Sequence, residues 1–262
     1  MLLLSLMALA SLALGAAAYA WAACSSRARA VALPLLLALL CGRAVLSYWP
    51  ALEWRLFPWA GYAYVQGFWL YPIAVVFFGL AAARLPVRWN RVVIALVGLC
   101  VLGHGMHRHS WIAWPESHGD ARVADANHHL QQSTHYTCGP AACAAALSHC
   151  GIQVSERDMA SLCLTRTGGT SLFDLYRGIV TALAEQPFAV SIEELPYECL
   201  RTGNHVLVCS NSGGGHAICL VTHDGKITVH DPLRKAPQEW IATELPRTYV
   251  TTAIVIRERR AP

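Results

Sequence analysis

The 262-residue chain is poor in charge: Asp, Glu, Lys and Arg make up 14% of it, against roughly 25% in ordinary globular proteins. Lysine is nearly missing, with only Lys226 and Lys235. Residues 1–113 hold a single acid, Glu53, beside eight arginines, a net of +7, whereas residues 114–262 hold 12 basic and 15 acidic side chains, a net of −3. No broad basic face remains for nucleic acid; the positive charge flanks apolar runs, as it does at membrane edges. No Gly-x4-Gly-Lys-Ser/Thr phosphate loop occurs, so ATP binding has no support within this chain. Recognised metal-ligand spacings are also missing. Seven of the twelve histidines crowd between His104 and His135; no cysteine or carboxylate completes a metal-ligand spacing there, and a polar connecting stretch explains them without a metal.

What the first half does have is long apolar runs. Leu2–Cys24 is long enough to span a bilayer at about 1.5 Å per residue. A cleaved signal peptide ending near Ala18-Tyr19-Ala20 is the competing reading, but no Lys or Arg precedes the run as a signal sequence requires. Further spans are expected at about 31–49, 61–83 and, more weakly, 92–113, giving three to four transmembrane helices in residues 1–113. Arg43 lies close enough to the end of the second span to reach the interface. Eight of nine tryptophans fall by residue 114, near the ends of these runs, where bilayer interfaces favour them. With Arg27, Arg29, Arg84, Arg88 and Arg91 in the cytoplasm, four crossings place the C-terminal half outside; three would leave it inside. The expectation is an integral protein of a bacterial inner or cell membrane with an extracytoplasmic domain.

Residues 114–127 read as a linker and 128–262 as one folded domain. Gln132–Leu147, QSTHYTCGPAACAAAL, marks the start of a buried helix, because Pro140 is tolerated only in a first turn. Cys138 therefore sits at a helix N-terminus, where unpaired N–H groups favour a thiolate. Gln132, six residues upstream, offers an amide that can hold a developing oxyanion. Ser155 and Ser171 begin two further helices, the first reaching about Leu162. From Phe188 the period becomes that of strands, so helices precede an antiparallel sheet: α+β.

A two-residue turn at Asp224-Gly225 makes each pair of facing positions in the following hairpin sum to 449, so Ile218 opposes Asp231. His216 is then diagonal to Asp231, with Cβ atoms within about 7–8 Å. Asp231 can take one ring nitrogen of His216 and leave the other for a thiol proton, the arrangement of nucleophile, base and orienter. Gly213-Gly214-Gly215 leaves room beside the histidine for a substrate backbone.

Gln132, Cys138-Gly139-Pro140, His216-Ala217 and Asp231-Pro232, in this order and spacing, resemble the papain-like bacteriocin-processing cysteine peptidases, which cut leader peptides after a double glycine. The resemblance covers roughly residues 128–235 and extends to Gly168–Ser171, which matches a Gly-Thr-Ser stretch of that family. It implies a papain-like peptidase domain behind an all-α transmembrane region. Cys138 would be nucleophile, His216 general base and acid, Asp231 its orienter and Gln132 the oxyanion donor, acting on a peptide or protein without metal or organic cofactor. Two other outcomes share these residues: a transpeptidase or cell-wall amidase, and a peptide-binding sensor or transport accessory without turnover. Seven of ten cysteines lie in this half; Cys143, Cys209 and Cys219 sit on apolar elements and are read either as packed thiols or as disulfide partners.

Overall fold

The computed structural model describes residues 2–24, 26–110, 118–194, 205–210, 215–223, 226–241 and 252–259. They form two compact units, one of residues 1–49 and 64–115 and the other of residues 50–63 and 116–262.

The first unit is helical. Its helices are α1 (Leu2–Cys24), α2 (Ser26–Tyr48), α5 (Leu70–Arg84) and α6 (Arg88–Arg108); α3 (Pro50–Leu56) belongs to the second unit and α4 (Tyr62–Val65) straddles the boundary. The run expected as one span over 61–83 is thus two helices, parted where Gly67 adopts a φ of +80° that side-chain-bearing residues rarely adopt. Helices α1 and α5 pack through small residues: a Cβ on Gly79 would lie 2.6 Å from the Gly15 carbonyl oxygen. Ala22, Leu36 and Leu80 form the buried centre of this unit. Its outer surface is apolar, with Leu9 62% and Leu96 54% exposed. Two helices, Leu4–Cys24 and Arg88–Arg108, are long and apolar enough to cross a membrane, and Pro34–Arg43 and Leu70–Arg84 are shorter apolar stretches. The Arg43 guanidinium lies 5.6 Å over the Trp69 ring, a cation–π contact.

The second unit is α+β. Around α7 (Cys138–His149), α8 (Glu156–Leu162) and α9 (Leu172–Ala182) lies a six-stranded antiparallel sheet in the order β1-β6-β2-β3-β4-β5. Its strands are β1 (Phe188–Glu193), β2 (His205–Ser210), β3 (Ala217–His223), β4 (Lys226–His230), β5 (Gln238–Ile241) and β6 (Ala253–Glu258). Leu207, Ile218, Leu220, Ile227, Val229 and Val255 alternate onto one buried face of it. Helix α7 lies against β2 and β3. Its alanines let it approach closely, and every residue from Gly139 to Ser148 is buried. Ser155 and Ser171 cap α8 and α9, each accepting the N–H three residues on. The β3–β4 register pairs His223 with Lys226 and Cys219 with His230, the alignment expected from the turn; Asp224, Gly225, Gly213 and Gly214 themselves lie outside the described residues.

Glu156 ties the chain before Cys138 to α8. It is fully buried, and its carboxylate accepts the N–H groups of Asp120 at 3.0 Å and Ser133 at 2.8 Å. Asp120, within the stretch read as a linker, therefore hydrogen-bonds to α8. Glu156→Ala strands two amides in the interior and is expected to cost about 3 kcal/mol of unfolding free energy. Denaturant titration of the two proteins reads this directly; a loss under about 1 kcal/mol would contradict it.

Candidate active site

The starts of α7 and β3 line one cleft, and the end of β4 brings a carboxylate against the histidine there. Cys138 opens the helix, His216 immediately precedes β3, and Asp231 immediately follows β4. The His216 Nε2 and an Asp231 carboxylate oxygen are 2.7 Å apart, which leaves Nδ1 for the Cys138 thiol. Asp231 is itself held: its Oδ1 accepts the Leu233 N–H at 2.9 Å, and its carbonyl accepts the Arg234 N–H at 2.9 Å. The diagonal placement deduced from the hairpin thus brings imidazole and carboxylate together.

The electrostatics follow from this geometry. Burial alone would raise the Cys138 pKa. The hydrogen bond and charge of His216, with the backbone of Ala217 and Gly139, outweigh it and bring the thiol below its ordinary value. His216 is raised, first by its hydrogen bond to Cys138 and, against some burial, by Asp231. Each partner shifts the other towards its charged form, the thiol towards thiolate and the imidazole towards imidazolium. That combination can attack a carbonyl carbon and protonate the group that leaves.

Gln132 is placed differently from Cys138, His216 and Asp231. Its side-chain Nε2 donates to the Thr134 carbonyl at 2.7 Å, and its backbone N–H donates to the Pro232 carbonyl at 3.0 Å. The residue therefore joins the Cys138 approach loop to the Asp231-Pro232 turn, and one of its two amide hydrogens is already engaged.

The cleft around Cys138 and His216 measures about 220 Å³. Its walls include His135, Tyr136, Gly168, Gly169, Leu172 and Leu175. Of the Gly168–Ser171 stretch, Gly168, Gly169 and Thr170 line the cleft, while Ser171 caps α9. Arg166 and Gly169 are bridged by backbone hydrogen bonds, and Arg166 is paired with the buried Asp174 at 3.0 Å. Burial dominates at Asp174 and raises its pKa to about 6 despite Arg166 and Ser171. Sequence reasoning missed Leu172 and Leu175 as cleft residues, since a helical stripe of leucines reads first as core.

The histidines singled out in the sequence divide. His128 and His129 join His149 and His230 in one cluster, of which His129 and His230 are buried: the Nε2 atoms of His149 and His230 are 3.0 Å apart, and His129 Nε2 bonds to the Arg234 carbonyl at 2.9 Å. Among the described residues, no three of the His, Cys, Asp and Glu side chains are grouped to hold a metal ion. The described cysteines carry free thiols, including buried Cys143, Cys209 and Cys219.

Residues 126–252 match the model described as the Peptidase_C39 like family, the family whose motif the sequence resembles. An uncharacterised protein of Methanothermobacter marburgensis is 28% identical over 103 residues, 39% of this chain and 70% of that one. Among solved structures, the chain is similar to the peptidase domain of Streptococcus ComA, a bifunctional ABC transporter of a quorum-sensing pathway. That likeness has 18% identity and a TM-score of 0.41, and covers 50% of this chain and 97% of the other. It is also similar to a double glycine motif protease from an AMS/PCAT transporter in complex with its leader peptide. There the identity is 15% and the TM-score 0.43, over 53% of this chain and 94% of that one.

Proposed function

We propose that this protein is a membrane-anchored cysteine peptidase. The observation that carries the reading is the His216–Asp231 contact of 2.7 Å in the same cleft as Cys138. The Cys138 thiolate attacks the carbonyl of a peptide bond, and His216 passes its proton to the departing amine. Water, deprotonated by His216, then releases the acyl group from sulfur. Asp231 keeps the imidazole turned towards the thiol. The second amide hydrogen of Gln132 and the N–H groups at the start of α7 supply the donors for the oxyanion. The narrow, glycine-walled cleft favours an extended peptide with small side chains next to the scissile bond.

Chain connectivity supports the topology. Pro50–Ala63 and the chain from Glu116 onward belong to one folded unit, so they occupy one side of a bilayer. In this reading α5 and α6 cross as a pair and return the chain to that side. With the arginines of the α5–α6 connection in the cytoplasm, the peptidase unit is extracytoplasmic.

Two measurements test this. Mass spectrometry of products from a peptide library should show new carboxyl ends bearing one oxygen from labelled water. Joined peptides instead of hydrolysed ones would favour a transpeptidase, and intact peptides a binding protein without turnover. Asp231→Ala should lower kcat about 100-fold, the range for losing the control of a general base. An unchanged kcat would remove Asp231 from the mechanism.

A further inference from the structure

Helix α9 has two occupied sides. Leu172 and Leu175 line the cleft beside Cys138, and a Cβ on Gly139 would come within 2.7 Å of Leu175 Cδ2. Phe173 and Tyr176 of the same helix are also buried, 4% and 7% exposed, but against residues from more than a hundred positions earlier. The Trp54 ring is centred 4.2 Å from Tyr176, and the Tyr62 ring 5.7 Å from Phe173. Tyr62 is fixed in turn: it stacks on Phe57 at 4.6 Å, and its hydroxyl donates to Glu53 at 2.7 Å. Glu53, the only acid of residues 1–113, is 1% exposed, and α3 also touches β1.

A loop serving only to join two membrane helices needs neither a buried carboxylate nor three rings packed on each other or on α9. Ring pairs of this kind hold geometry as well as area, each worth more than its burial alone. The helix they press on is 11 residues long, too short to hold its position without such tertiary support. Its adjoining face, with Leu172 and Leu175, lines the cleft beside the thiol.

We propose that Pro50–Ala63 is a working part of the peptidase, a buttress that sets the position of α9. Through Leu172 and Leu175 it sets how tightly a peptide is gripped next to Cys138. Trp54 and Tyr62 are positioning residues; they leave the ionisation of Cys138 and His216 to the sheet and α7. This inference rests on the peptidase reading of the cleft. It extends the functional domain beyond residues 126–252, into the segment between α2 and α5.

The test uses the full chain in detergent or lipid nanodiscs and two thiol reagents, iodoacetamide and a peptidyl chloromethyl ketone, with Cys138 labelling followed by mass spectrometry. The ratio of the peptidyl rate to the iodoacetamide rate reports grip, and the iodoacetamide pH profile reports ionisation. Trp54→Ala should lower the ratio about 10-fold, as a displaced binding wall does, with the pH profile unmoved. Trp54→Phe, which keeps a ring against Tyr176, should restore it. An elevated wild-type ratio that Trp54→Ala leaves unchanged overturns the buttress alone. A wild-type ratio no higher than that of a free thiol overturns the peptidase reading, and the buttress with it. If Trp54→Ala fails to fold, seen as rapid labelling of buried Cys143, Trp54→Leu replaces it. The same fall in ratio is then expected, and an unchanged ratio overturns the proposal.

Discussion

Replacing Cys138 with alanine is expected to lower kcat/KM for peptide hydrolysis by at least about 10⁴-fold, because it removes the atom that forms the acyl intermediate. His216→Ala should cost nearly as much. The thiol is half-buried, and without the imidazole the hydrogen bond and charge that offset its burial are lost. The double variant should be little worse than either single one, since nucleophile and base act as a unit. The steady-state rates of the three variants settle this. Two moderate losses that multiply in the double variant would mean that the residues act separately.

The second large effect is on acid stability. His230 is 1% exposed, and burial, with the charges of His149, His129 and His128, lowers its pKa to about 3. Burial and His128 lower His149 to about 4. Both rings are thus neutral in the fold, while in the unfolded chain they protonate near 6.5. Above pH 6.5 neither state gains a proton, so the stability of this group is fully present. As pH falls towards 4 and 3, only the unfolded chain takes protons, and stability is lost. His230 alone accounts for about 2 kcal/mol by pH 5, and the part-exposed His149 adds a smaller, solvent-screened share. Asp174 works the other way, because its raised pKa favours the fold as pH drops below 6. The comparison that isolates the histidines is wild type against the double variant His149→Leu/His230→Leu, which removes both partners of the 3.0 Å contact. The wild-type melting temperature should fall between pH 7.5 and 5 by about 5 °C more than the variant's. Equal shifts in both proteins would show that these rings are not the source of acid lability. Since His129 fastens the carbonyl of Arg234, just beyond Asp231, acid damage should reach activity at the same pH as stability.

Some of this was open to view in the sequence. The Asp224-Gly225 turn fixes which residues face each other across β3 and β4, and alternation then puts His216 and Asp231 on one side. Pro140 and the run of alanines place Cys138 at the head of a buried helix. These deductions are local or reach across one hairpin, where period and turn chemistry determine geometry. The missed features join distant parts of the chain. Trp54 reads as an interfacial anchor by its position between apolar runs, yet its ring meets Tyr176. His128, His149 and His230 carry no spacing signal, because the fold brings together rings from a loop, a helix end and a strand. Gln132 is in the expected loop, but its amide engages Thr134, a choice set by packing rather than by order along the chain. Gly67 divides a run that hydropathy reads as continuous, since hydropathy carries no information about φ.

The proposed peptidase depends on one proton shared between Cys138 and His216. The most direct measurement is the rate of Cys138 alkylation by iodoacetamide against pH, in wild type and His216→Ala, with the modified peptide identified by mass spectrometry. The account predicts a wild-type thiol that reacts well below the ordinary thiol range and a variant about 100-fold slower at pH 7. A wild-type profile rising only near pH 9, unchanged by His216→Ala, would contradict it.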